Sequence, residues 1–76
     1  MKELIEGIAR HLVDEPDLVE VGSKTTEGVT VLELKVAPGD VGKVIGRQGR
    51  TARSLRAILG AAAAKHHRRC SLDIAE

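Results

Sequence analysis

Near the start of the chain Leu4, Ile5, Ile8 and Leu12, with Ala9 beside them, recur at helical spacing, while Lys2, Glu3, Glu6 and Arg10 fill the other face. The pattern predicts a helix that ends near Val13, because Pro16 in "DEPD" disfavours helical geometry at Glu15 and has no amide to donate. Two runs rich in valine, leucine and threonine follow, "LVEVGSKTT" and "VTVLELKVA", joined at Glu27-Gly28, where glycine supplies the positive φ of a tight turn. They read as a hairpin. In the second run Leu32, Leu34 and Val36 alternate with Glu33 and Lys35, which predicts one buried and one wetted face. "PGD" at 38–40 then opens a very short helix, with Asp40 placed to cap it and Val41, Val44 and Ile45 on one face; Gly46 stops it. A long helix is predicted from about Arg50 to His67, with Ala52, Leu55, Leu59, Ala62 and Ala63 inward, and Cys70, Leu72 and Ile74 alternate with Ser71 and Asp73 as a closing strand.

The predicted order is helix, strand, strand, short helix, long helix, strand. This is an α+β fold in which a three-stranded mixed sheet carries its helices on one face: the hairpin pairs antiparallel, and the right-handed crossover to the last strand is parallel. At 76 residues the chain has room for one core and is read as a single domain over 1–76. A hydrophobic content of 42% against 30% charged is a globular balance. No apolar run approaches the ~20 residues of a membrane span, and "MKELIEGIAR" has acids where a secretory leader needs its apolar stretch, so a cytoplasmic protein is expected. The single cysteine, Cys70, forms no internal disulfide and reads as a small hydrophobe at the start of a strand.

Charge changes the picture. The net value of +1 averages two unlike parts: residues 1–40 hold four basic and nine acidic side chains, and residues 41–76 hold eight basic and two acidic. Such asymmetry points to a surface built for a polyanion. The two predicted helices around "GRQG" leave a tight exposed turn whose glycines, Gly46 and Gly49, permit close approach of another backbone. The turn delivers the N-terminus of the long helix, where free amides and the positive dipole end favour phosphate, and Arg47 and Arg50 add full charges.

With a short apolar helix before it, a basic helix after it and strands on both sides, "VIGRQG" resembles the KH domain, and the element order resembles the type II, or prokaryotic, arrangement. With "VGKVIGRQGRTARSLRAIL" near the middle of so short a chain, the resemblance is closest to the small bacterial KH proteins called KhpA. In KH domains the G-x-x-G loop clamps four nucleotides of single-stranded RNA by their backbone. The resemblance implies that Gly46, Arg47, Gln48 and Gly49 form that loop and that Val41, Val44 and Ile45, with second-strand residues such as Leu34 and Val36, floor the groove under the bases, some of them facing the core instead. Lys43, Arg50 and Arg53 complete the candidate RNA-contacting set. One position departs from the family pattern: Ala52 stands where many KH domains have a bulky aliphatic. The resemblance further implies homodimers, pairing with a KhpB-type (Jag-like) KH protein, and an RNA-chaperone role linked to cell elongation and envelope growth.

Other readings are weaker. "APGDVGKV" matches a P-loop up to Val44, which replaces the Ser or Thr that holds magnesium. His66 and His67 beside Arg68 and Arg69 read as a solvated helix end rather than a metal site, and no cofactor is expected. No nucleophile stands with a base and no carboxylate pair suggests a pocket, so a non-enzyme is expected. The outer face of the long helix carries Ala57, Gly60, Ala61 and Ala64 with Ile58 at its border, small residues that suit close approach of a second helix. The competing reading is therefore a KH-fold dimerisation or scaffold module with residual nucleic-acid binding. Without Phe, Tyr or Trp the domain has no ring on which to stack bases, a contact worth ~1–3 kcal/mol per base, and two linked sites would compensate.

Overall fold

The computed structural model describes residues 1–75 and places its elements in the predicted order. Helix α1 spans Lys2–Leu12, strands β1 and β2 span Glu20–Thr26 and Val29–Lys35, α2 is Val41–Ile45, α3 is Arg50–Lys65 and β3 is Arg69–Ile74. The sheet runs β1-β2-β3, antiparallel between β1 and β2 and parallel between β2 and β3. Among the described residues no helix is long and apolar enough to cross a membrane.

The alternation in β2 sorts as the sequence requires. Leu32 and Leu34 are buried beside Val21 of β1 and Leu72 of β3, while Glu33 and Lys35 are exposed. Against this face pack Ile5 and Ala9 of α1, Val44 of α2, and Leu55 and Leu59 of α3, each side chain of leucine size contributing roughly 1.5–3 kcal/mol on burial. Only part of the α1 stripe joins them: Leu4 and Leu12 remain 39% and 38% exposed. Cys70 is half-buried at the core margin, its Sγ 3.8 Å from Met1 Sδ. Arg56 of α3 reaches back to β3, where its Nε donates to the Leu72 carbonyl at 3.2 Å.

Element ends differ from expectation where backbone geometry intervenes. The hairpin turn puts both Glu27 (φ 52°) and Gly28 (φ 80°) in the left-handed region, the requirement of a two-residue type I′ turn, so glycine alone does not carry it. Strand β1 starts at Glu20 rather than Leu18, because Pro16–Leu18 close a 3-10 turn with Leu18 N donating to Glu15 O. Helix α3 stops at Lys65, two residues short of His67. Arg68 N donates to Ala63 O (2.8 Å) and His67 N to Ala64 O (3.1 Å), a Schellman closure with left-handed His67 (φ 57°) where glycine is usual. His66 and His67 are exposed.

Candidate nucleic-acid interface

Helix α2 has five residues and is positioned from both ends. The expectation that Asp40 caps it is corrected: Asp40 makes no side-chain capping bond, and its buried carboxylate turns to the loop after α1, where Oδ2 accepts the Glu15 amide at 3.0 Å. Burial raises the Asp40 pKa, but the Glu15 and Asp14 amides and the Lys43 ammonium outweigh it and hold the carboxyl below its ordinary 3.8. Lys43 Nζ lies 3.1 Å from Asp14 and 3.4 Å from Asp40, and its pKa is raised, chiefly by the Asp14 contact. The ammonium expected to face RNA is therefore already held by two carboxylates. Val44 corrects a second expectation: it is fully buried in the core, as is Leu34, so neither reaches the surface as groove floor. Val36, Val41 and Ile45 are half-buried and remain the apolar residues available there.

Gly46 ends α2 with φ 77° and ψ 171°, its amide donating to Gly42 O at 2.8 Å. A Cβ at this position would lie 2.7 Å from Thr51 Cβ and 2.9 Å from Thr51 N, so the bare Cα is filled by the chain's own first α3 turn. Gly49 is different: φ is 72°, and a Cβ there would meet nothing within 4 Å. Between them Gln48 also takes left-handed geometry (φ 57°, ψ 26°), and Gly49 N donates to Gly46 O at 3.1 Å. The four residues thus form a compact exposed knuckle with Arg47 and Gln48 outermost.

The knuckle is braced by the arginines that follow it. Arg53 Nη2 donates to the Gln48 carbonyl at 2.9 Å and Arg50 Nη2 to Gln48 Oε1 at 3.3 Å, which holds two guanidinium groups beside the turn. Among the described residues no carboxylate lies within ion-pair distance of Arg47, Arg50 or Arg53. Among the described residues no side chain caps the N-terminus of α3, so its first-turn amides and dipole add to the same positive field. Arg50, Arg53, Ser54 and Ala57 line a shallow depression alongside. Such an arrangement suits a phosphate chain.

Most of the expected loop residues come together here: Arg47, Gln48, Gly49, Arg50 and Arg53 surround one exposed turn. Thr51, missed by the sequence reading, shapes that turn by packing on Gly46, and its position two residues after the second glycine was the available signal. On α3, Ala57, Ile58, Gly60, Ala61 and Ala64 are all exposed, Ile58 to 42%. Ala52 is buried against the core.

A family model described as KhpA/KhpB, KH domain, matches residues 2–74. RNA-binding protein KhpA of Clostridium acetobutylicum is 53% identical over 74 residues, covering 97% of this chain and 99% of the relative. RNA-binding protein KhpA of Borreliella burgdorferi is 53% identical over 72 residues, with 95% and 88% covered. A crystal structure of Aquifex aeolicus Era superposes on 96% of this chain with a TM-score of 0.55 at 17% identity; the chain spans 28% of that protein, and the likeness is one of fold.

Proposed function

The chain belongs to the KhpA/KhpB family of KH domains, and from that premise we propose that its Gly46–Gly49 knuckle and the first turn of α3 bind the backbone of single-stranded RNA. The observation that carries this reading is the set of three exposed arginines, Arg47, Arg50 and Arg53, gathered at a helix N-terminus with neither a carboxylate partner nor a side-chain cap among the described residues. The phosphates sit at the knuckle, and roughly four bases lie over the half-buried aliphatic side chains of Val36, Val41 and Ile45. Affinity then comes from charge and shape, and sequence preference is broad, because the chain has no aromatic ring for stacking.

A lone domain of this kind binds weakly, and a homodimer through the exposed α3 strip of Ala57, Ile58, Gly60, Ala61 and Ala64 would raise avidity. Pairing with a KhpB-type protein and a chaperone role in cell elongation and envelope growth complete the proposal, on the strength of the family membership.

The test replaces Arg47 and Gln48 by aspartate and measures affinity for a single-stranded RNA at several salt concentrations, with molecular mass in parallel. Loss of binding with fold and mass retained is expected. Unchanged affinity would sink the RNA reading and favour the second one, a dimerisation scaffold built on the exposed α3 strip. A single-stranded DNA competitor separates 2′-hydroxyl contacts from phosphate contacts alone.

A further inference from the structure

Three of the large exposed apolar side chains, Leu4 (39%), Leu12 (38%) and Leu18 (52%), lie on α1 or on the 3-10 turn that follows it, elements that hold none of the knuckle or α3-strip residues. Leu4, Ile8 and Leu12 stand at i, i+4 and i+8, an inclined ridge that rises about 12 Å along the helix. Beside it runs a dip made by Gly7, where a Cβ would meet nothing within 4 Å, and by His11, whose Nδ1 donates to the Gly7 carbonyl at 2.8 Å. Glu3, Leu4, Gly7, Ile8, His11 and Leu12 together line this groove, and its surface is almost wholly apolar. A glycine inside a helix costs about 1 kcal/mol relative to alanine, and none of the described residues uses the space that Gly7 leaves.

The groove is bordered at its C-terminal end by negative charge. Residues 13–20 carry Asp14, Glu15, Asp17 and Glu20 and no Lys or Arg. Asp14 is engaged by Lys43, but Glu15, Asp17 and Glu20 are exposed with no ion-pair partner among the described residues. The carbonyl end of α1 points the same way, and of the basic residues in its last turn Arg10 is held by Glu6 at 2.8 Å while His11 bonds the Gly7 carbonyl. Ridge, dip and acidic end define the occupant by complementarity.

We infer that the outer face of α1 docks an amphipathic helix of a partner protein, its apolar stripe seated against Leu4, Ile8 and Leu12 and its lysines or arginines set toward Glu15 and Asp17. A nucleic acid is repelled from this end of the groove, so the chain has one surface for a polyanion and another for a basic polypeptide. The inference does not depend on the RNA reading, because its residues are not shared with the knuckle.

The test uses the full chain and two helical peptides, one with leucines along one face and lysines elsewhere, the other with glutamates in place of the lysines. Binding of the lysine peptide is expected, with amide shifts concentrated in α1 and residues 14–18, and at least about tenfold weaker binding of the glutamate peptide. Leu4→Ser with Leu12→Ser should weaken the lysine peptide about tenfold while circular dichroism and RNA affinity stay unchanged. Asp17→Lys, which leaves the ridge intact, should weaken it as well. Equal affinity for both peptides, shifts outside α1, or indifference to the leucine and Asp17 variants would overturn the inference. So would a mass showing that a second copy covers α1 and is released by Leu4→Ser with Leu12→Ser.

Discussion

An alanine at Gly46 would drive its Cβ into Thr51 and strain a backbone held at φ 77°, whereas one at Gly49 would bear the positive φ alone. Gly46→Ala should therefore destabilise the fold by about 2–4 kcal/mol and Gly49→Ala by about 1 kcal/mol, read from urea unfolding midpoints. Loss of RNA binding in Gly46 variants would report folding before it reported contact. The glycine pair was legible in the sequence as a tight turn between two helical patterns, but the positive φ of Glu27, Gln48 and His67 was not, since nothing in those side chains marks it. Their geometry is imposed by the turns they close. The local position of Asp40 predicts a cap. Its actual partner, the Glu15 amide, lies 25 residues away in sequence, beyond any local pattern.

That long-range bond has its effect at the level of elements, since it fastens the exit of α1 to the entry of α2, the helix that delivers the knuckle. The Asp40 carboxyl has a lowered pKa in the folded chain, so its stabilising contribution is fully present above the ordinary value of 3.8 and is lost as pH falls through the folded value. Asp40→Asn should accordingly be less stable than the parent at neutral pH, and the gap between their urea midpoints should close in acid. Helix α3 offers a second test. Gly60 has open space around the position of a Cβ and no positive φ, so Gly60→Ala should raise the stability of the isolated chain by about 1 kcal/mol. If α3 strips meet in a dimer, the same change should weaken dimer mass at low concentration. Element order was readable from the switch between helical and alternating periods. The ends were not, because the Pro16–Leu18 turn and the His67 closure depend on hydrogen bonds that composition does not reveal.

For the whole molecule, the proposed RNA surface makes a quantitative demand. Three arginines on phosphates predict that log affinity for a single strand falls with log salt at a slope of about −2, and Arg53→Ala should reduce the slope by about 0.7. A slope near zero would mean that the exposed guanidinium groups do not touch the chain. The halves of the sequence already showed the sign of this surface, but not that Lys43 is withheld from it by Asp14 and Asp40. Nor did the apolar pattern show which of Val41, Val44 and Ile45 stays accessible, since all three share a helical face and only the packing of the core, where α2 meets α3 and α1, buries Val44.

Arg56 has a consequence for how copies of this protein keep apart. Ala75 donates its amide to Leu34 O at 2.9 Å, so in the parallel ladder the alternate residues of β3 turn their backbone groups to β2, and those of Leu72 face outward at an open strand edge. Such an edge is a template on which a neighbouring molecule can add a strand, and natural sheets blunt it with charge. Arg56 takes the Leu72 acceptor and sets a cation beside it. Arg56→Ala should leave the fold in place and shorten the time to turbidity in concentrated solution, measured by light scattering; in this respect the arginine is a gatekeeper against aggregation.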